Sequence, residues 1–282
     1  MKNLQIKFLN NCLLIKDILV IGDLHLGYEG FGIIDEIIEK LEGVFLNLKE
    51  DGIKVKKIIL LGDVKYDFQG ISDNEWRDIL RLLDYLIKKV SKKNIIIIKG
   101  NHDNILKPIL KKREIKLKDY YKIKKKIDDK VLNIWFLHGN KMFGQLFKQP
   151  NRQTENKTNG GVIKQTNKQA HKKDILILGH LHPAIILNDK YKKEKYKCFL
   201  CGNWKGFIVY ILPSFSPMGY GYDLRNLINK DYKREYLLRN KGVRTHEFFI
   251  IPNKDLMIFK VVVYDEKNGK EYEFGKLKKL IK

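Results

Sequence analysis

The chain has 282 residues, 44% hydrophobic and 11% aromatic, long and apolar enough for a sizeable core, which excludes a generally disordered polymer. Its 56 Lys and Arg against 33 Asp and Glu leave a formal charge of +23; that balance attracts nucleic acid, and a Lys-rich compositional bias accounts for it equally well, since only eight of the basic residues are Arg. Three cysteines, Cys12, Cys198 and Cys201, exclude an even-numbered disulfide framework and point to a reducing, cytoplasmic setting.

The first sixteen residues alternate like a strand and hold no long apolar run, so neither a signal peptide nor a membrane span is expected. Residues 4–9 and 12–15 flank Asn10-Asn11 and read as a hairpin, and an apolar run at 18–22 ends at Gly22-Asp23. Ile33, Ile34, Ile37, Ile38, Leu41, Phe45 and Leu48 recur at helical spacing, with Gly52 as the stop. Ile58 to Leu61 then runs into Gly62-Asp63, and Ser72 with Glu75 has the form of a capping box opening a helix that continues to Val90. A strand at Ile95 to Ile98 leads into Gly100-Asn101-His102-Asp103, and another at Val131 to Leu137 leads into His138-Gly139. Residues 140–173 are polar and aperiodic and read as a mobile insertion. The strand pattern returns at Ile175 to Leu178 before Gly179-His180-Leu181-His182; apolar runs at 199–200, 207–212, 248–251 and 256–264 predict a second sheet, and a helix is expected around 231–240. Alternating strands and helices imply an α/β layer structure with ligands beyond the carboxyl ends of the strands. No composition shift divides the chain, so a single domain is expected over 1–282, with a strand-rich C-terminal extension at 225–282.

Five separated segments carry the chemistry: Asp23-Leu24-His25, Gly62-Asp63, Gly100 to Asp103, His138-Gly139 and Gly179 to His182. Each follows an apolar run. Alternation at a strand end places residues i and i+2 on one side, which explains Asp-x-His and His-x-His as pairs that grip one ion. Mixed imidazole, amide and carboxylate donors suit Mn, Fe, Zn or Ni better than Mg or Ca. Hydrolysis of a phosphate ester needs a strong nucleophile and a counter-charge, which two divalent metals about 3.5–4 Å apart provide. With only two carboxylates in the set, such a centre stays positive and favours a bridging hydroxide and an incoming phosphate. Cys198 and Cys201 have metal-ligand spacing without a second pair, so a semi-buried strand is expected there instead of a closed zinc site. His171 and His246 receive no role.

In order and content these segments resemble the calcineurin-like metallophosphoesterase superfamily over about residues 18–215. Residues 23–29 (Asp-Leu-His-Leu-Gly-Tyr-Glu), 62–68 (Gly-Asp-Val-Lys-Tyr-Asp-Phe), Pro213 to Pro217 and Gly221-Tyr222-Asp223 resemble more closely its SbcD-related and DNA-ligase-associated branch. The resemblance implies a four-layer α-β-β-α sandwich. It implies that Asp23, His25, Asp63 and His182 hold a first metal, and that Asp63, Asn101, His138 and His180 hold a second, with Asp63 as the bridge. His102 would protonate the leaving oxygen and Asp103 would orient its imidazole.

One departure matters. The superfamily commonly shows Gly-Asp-x-x-Asp, whereas Tyr66 stands at the last position here and Asp67 follows it. Lys65 is expected as a solvated surface lysine in preference to a contact for substrate phosphate. Tyr28, Tyr66, Tyr220 and Tyr222 are expected to pack more than to stack on bases. The expected function is a dinuclear-metal-dependent phosphodiesterase or nuclease, with Mn the first choice of metal, and with nucleic acid and a DNA-repair protein as partners. A small-molecule phosphatase or cyclic-nucleotide phosphodiesterase is the alternative enzyme, and a non-catalytic scaffold the alternative class.

Overall fold

Asn10 and Asn11 turn the chain back on itself as the sequence predicts, with Asn11 in the left-handed region (φ 56°) that asparagine tolerates. They join β1 (Ile6–Leu9) to β2 (Cys12–Ile15), which pairs in turn with β3 (Ile18–Ile21). The computed structural model describes residues 4–27, 32–127, 130–146, 174–188, 192–219, 221–227 and 249–281.

From β3 onward the first sheet is parallel: β4 (Lys57–Leu60), β5 (Ile95–Ile98) and β6 (Leu117–Lys118) follow in order, completing six strands. Its crossovers are α1 (Ile33–Glu50) and α2 (Asp73–Lys89), with the shorter α3 (Lys107–Lys111) before β6. Ser72 caps α2 through its hydroxyl while Glu75 returns the bond to the Ser72 amide, the reciprocal box read from the sequence.

The apolar runs of β4 and β5 are continuous, without alternation, because both faces of this sheet are covered. Ile58, Leu60 and Ile97 pack with Leu41, Leu82 and Leu86 on the helical side. Ile59, Leu61, Ile96 and Ile98 face the opposite way, against Ile134, Phe136, Ile175 and Phe199 of the second sheet.

That second sheet has seven strands. It holds β7 (Tyr121–Ile127), β8 (Lys130–Leu137), β9 (Ile175–Leu178), β12 (Phe199–Trp204), β13 (Phe207–Ile211), β15 (Lys260–Asp265) and β16 (Lys270–Lys276), in the order β16-β15-β12-β13-β9-β8-β7. It therefore recruits β7 to β9 as well as the later runs. Phe249 to Ile251 are not part of it: Ile250 and Ile251 are buried outside any strand. Among the described residues β10 (Pro183–Asn188), β11 (Lys193–Lys197) and β14 (Tyr222–Asp223) form a third, small sheet hydrogen-bonded to neither of the others. Over the outer face of the seven-stranded sheet the described cover includes Leu224, Ile250, the short α4 (Asn253–Leu256) and α5 (Leu277–Leu280), and Ile185 of β10. The helix expected at 231–240 and most of the 140–173 insertion fall outside the described residues.

Cys198 is buried beside β12 and Cys201 lies on it, opposite Tyr210. Burial pushes the Cys201 thiol up to about 12, and among the described residues neither cysteine joins a metal-ligating group, in keeping with a strand position. No helix among the described residues is long and apolar enough to cross a membrane.

Candidate metal centre

Parallel strands of both sheets release their chains toward one edge, and the five segments meet there. The mechanism differs from simple alternation. β3 ends at Ile21, β4 at Leu60 and β9 at Leu178, so the polar residues lie beyond the strands, in tight turns. Asp23, His25, Asp63, His180 and His182 have φ of 54°, 47°, 48°, 67° and 48°. This left-handed backbone is costly for residues with a Cβ, at roughly 1–2 kcal/mol each, and persists only where its surroundings over-determine it.

Those surroundings are hydrogen bonds between the turns. Leu24 and His25 donate their amides to the Asp63 carbonyl at 3.0 and 2.9 Å, and the Leu26 amide donates to Val64 at 2.9 Å. The Ser214 hydroxyl donates to the Asp23 carbonyl at 2.7 Å, and the Phe215 amide to Gly22 at 2.9 Å. The His180 amide donates to the Asp23 carboxylate at 3.0 Å. Ser214, in the closing segment of the resemblance, is a support that residue type alone does not disclose.

Two donor groups result, and they share one carboxylate. Ligating atoms of Asp23, His25, Asp63 and His182 lie within 4.8 Å of one another, as do those of Asp63, His138 and His180. In the first group His182 Nε2 stands 3.0 Å from Asp23 Oδ1 and 3.3 Å from His25 Nε2, which is 3.9 Å from Asp63 Oδ2. In the second, His138 Nε2 is 3.2 Å from Asp63 Oδ2 and 2.9 Å from the amide oxygen of Asn101. His138 Nδ1 donates to the Leu61 carbonyl at 2.8 Å; this bond fixes the ring orientation and turns Nε2 toward the group. Asp23, Asp63 and His138 form a buried floor, with Asn101, His180 and His182 half-buried at the rim.

The donor set fits divalent cations. Burial and neighbouring imidazoles push His25 and His180 down to about 3, so both present lone pairs. Burial works to raise the Asp23 and Asp63 carboxyls, yet the histidines beside them hold both below the ordinary carboxylate range. Reciprocally, although burial lowers it, His138 is drawn up to about 9 by Asp63 and Asp23. The carboxylate floor thus demands positive charge, and His25 Nδ1 is buried with no hydrogen-bond partner. Two carboxylates, four imidazoles and one amide oxygen are the ligand types that borderline divalent metals prefer.

His102 stands at the edge, its Nε2 3.8 Å from Asp63 Oδ2 and its amide donating to Asp63 Oδ1 at 3.0 Å. The structure corrects the expectation for Asp103. Its carboxylate accepts from the amides of Val64 at 3.0 Å, Lys65 at 3.4 Å and Gly100 at 2.9 Å, while the imidazole Nδ1 of His102 donates to the Tyr66 carbonyl. Asp103 ties two ligand turns together, its carboxyl raised to about 7 by burial and by the charge of Asp63. Lys65 is a second correction: it is fully buried, not solvated. Tyr66 and Phe68 are exposed near His102, with the Phe68 ring centroid 3.5 Å from that of the imidazole. Tyr222, half-buried on β14, packs against the core, and Tyr28, Tyr220, His171 and His246 lie outside the described residues.

Glycine before a ligand has a steric reason here. A Cβ on Gly100 would sit 2.0 Å from Asp63 Oδ1, and one on Gly62, where φ is +98°, would sit 2.6 Å from the Gly100 amide. Gly100→Ala is therefore expected to displace the Asp63 carboxylate, costing roughly 1–3 kcal/mol of stability as an overpacked site does. Thermal denaturation beside metal analysis checks it; native stability with full metal content would show that the two turns part without penalty.

The model of the calcineurin-like phosphoesterase family matches residues 16–209. Among solved structures the chain is similar to Pseudomonas putida nuclease MPE, with a TM-score of 0.53 at 14% identity, covering 97% of this chain and 96% of that one; a likeness at that identity concerns the fold alone. A Vps29 single mutant from Entamoeba histolytica aligns at a TM-score of 0.27 and 16% identity over 68% of this chain and 72% of that one, too weak to carry an argument. No curated protein matches the chain.

Proposed function

Since the chain belongs to the calcineurin-like phosphoesterase family, and is thereby a metal-dependent phosphoric ester hydrolase, we propose that it is a phosphodiesterase whose substrates are nucleic-acid or nucleotide diesters. The observation that carries this reading is the pair of donor groups joined through Asp63. On this reading Asp23, His25, Asp63 and His182 would hold one divalent ion, and Asp63, Asn101, His138 and His180 would hold the other, with Mn as first choice and Fe, Zn or Ni as alternatives. When bound, the two ions supply a nucleophile stronger than water and a counter-charge for the transition state.

The chain's own residues do the rest. Asp63, buried and common to the two groups, would serve both cations. His102 faces the same space with Nε2, and its Nδ1 proton is engaged by a carbonyl that can only accept. A protonated imidazole held this way delivers its Nε2 proton to the departing oxygen, which otherwise leaves as an unstable alkoxide. Half-buried His182 and the exposed aromatics leave the rim open on that side.

Support for a polymer substrate comes from charge. Residues 107–126 carry ten Lys or Arg and two acidic residues. Within them β6 places Lys118 beside Ile98 at the end of β5, next to the site, and β7, at the edge of the other sheet, carries Lys122, Lys124 and Lys125. Such an edge offers phosphate contacts to an extended strand. The structural neighbour described as a nuclease accords with the same reading, and from the resemblance to the DNA-ligase-associated branch a DNA-repair protein is proposed as a partner.

Elemental analysis combined with a substrate panel tests the proposal. The expected result is two divalent ions per chain and cleavage of single-stranded or duplex DNA alongside an aryl phosphodiester. Inactivity on every polymer, with small diesters still cleaved, would transfer the activity to small-molecule substrates. Chelation is expected to abolish turnover and lower the melting temperature, because ligand at a hundredfold excess over its Kd stabilises by about 2.7 kcal/mol per site. Readdition of Mn should restore both; turnover that survives in protein stripped of metal would defeat the reading.

A further inference from the structure

Lys65 and Glu75 are both buried, at 0% and 2% exposure, with Lys65 Nζ 3.8 Å from Glu75 Oε1. Neither belongs to a ligand group. A buried charge pair contributes little net stability, since desolvation opposes the attraction, so its retention invites a question about what it holds in place.

It holds the loop that follows Asp63. Glu75 Oε1 accepts from the amides of Tyr66 at 3.2 Å and Asp67 at 3.0 Å, and its Oε2 accepts from the Ser72 amide at 3.0 Å. Lys65 Nζ donates to the Asp67 carbonyl. On the other side the Tyr66 amide also donates to Leu26 at 2.8 Å. Gly27, at φ +92°, makes room, because a Cβ there would lie 1.9 Å from Glu75 Cγ. The peptides on both sides of Tyr66 are thus pinned to the first turn of α2, and the Tyr66 carbonyl is left aimed at His102 Nδ1. Tyr66 stands where Gly-Asp-x-x-Asp would put a carboxylate; in this chain its backbone oxygen accepts from the His102 imidazole.

We propose that the buried Lys65–Glu75 pair is a positioning device for His102, acting through the Tyr66 carbonyl that accepts from Nδ1–H, so that Nε2, which carries the second proton in the imidazolium form, stays turned toward the leaving group. Lys65 and Glu75 are positioning residues and touch no substrate. The inference rests on the proposed role of His102 in diester hydrolysis. Its physical core, the tautomer and orientation of one imidazole, can be measured without turnover.

Lys65→Met removes the cation and keeps much of its length, and Lys65→Met/Glu75→Gln removes both charges, so that no uncompensated buried ion remains should the single variant fold poorly. In metal-free protein labelled with 15N-histidine, the wild-type His102 signals should show one tautomer, protonated at Nδ1 when neutral, and the double variant a mixture. In metal-loaded protein, kcat for an alkyl phosphodiester should fall about tenfold, a magnitude usual for loss of an orienting partner. An aryl diester, whose leaving group departs without a proton, should change by less than twofold, with KM and metal content unaltered for both. Equal loss on the two substrates, or a tautomer signal identical to wild type, would overturn the proposal. Should the wild type cleave no diester at all, the functional reading fails while the histidine spectra still decide the positioning claim.

Discussion

Asp63→Asn is expected to reduce phosphodiester turnover by on the order of 10³-fold, because several kcal/mol of transition-state stabilisation depend on the metal pair and each 1.36 kcal/mol is a factor of ten. Asparagine is the informative replacement. Asp63 sits at φ 48°, where Asn is nearly as comfortable as Asp and Ala is not, so the turn and its amide bonds to Leu24 and His25 are retained. What disappears is one negative charge common to both donor groups. Loss of the bridge should release at least one ion per chain, read by elemental analysis, while the melting temperature of the metal-free variant stays near that of metal-free wild type. Retention of two ions with turnover inside tenfold of wild type would mean that Asp63 does not join the groups.

Replacing His102 acts on a different step. His102→Ala should leave metal content intact, since its side chain is absent from both donor groups and its backbone amide still donates to Asp63. Removal of a general acid typically costs 10²–10⁴ in rate. The loss should be greatest for alkyl leaving groups, including the sugar oxygens of a nucleic acid, and should shrink toward nothing for a p-nitrophenyl diester. A leaving-group series at fixed metal concentration measures this directly. A uniform decrease across the series would instead assign the imidazole to binding. Phe68, which lies against the same ring, provides a control: Phe68→Leu keeps an apolar neighbour there and should alter the slope of the series less than His102→Ala does.

The two variants separate the parts of the site by physical origin. Asp63 matters through charge held in a buried place, where attraction is little screened. His102 matters through a proton on one atom. Asp103, expected as the partner of that proton, is occupied by three backbone amides, and the Tyr66 carbonyl has replaced it. Residue type therefore picked out side chains that the fold brings together at one edge, while misassigning one connection among them.

Much of this molecule was legible in the order of its residues. The helix over 33–50, the Ser72 and Glu75 box, the hairpin at Asn10-Asn11 and the strand preceding each polar segment follow from periodicity and turn chemistry, which are local. The candidate donor set was legible for a related reason: Asp, His and Asn stand just after one apolar strand after another, and strand ends that share an edge bring such residues together.

Three features were settled only in three dimensions. The left-handed turns at Asp23, His25, Asp63, His180 and His182 exist because amides and carbonyls from distant segments lock them; no neighbour along the chain requires them. Lys65 is buried because Glu75, ten residues onward and on a helix, lies beside it, so a lysine that reads as surface becomes an internal cation. Phe249 to Ile251 form no strand because they pack against the turn after His138, where the Ile250 amide donates to Gly139. Local pattern determines which conformations a segment favours; burial and backbone strain depend on which remote groups arrive beside it, and those partners are chosen by the packing of the two sheets.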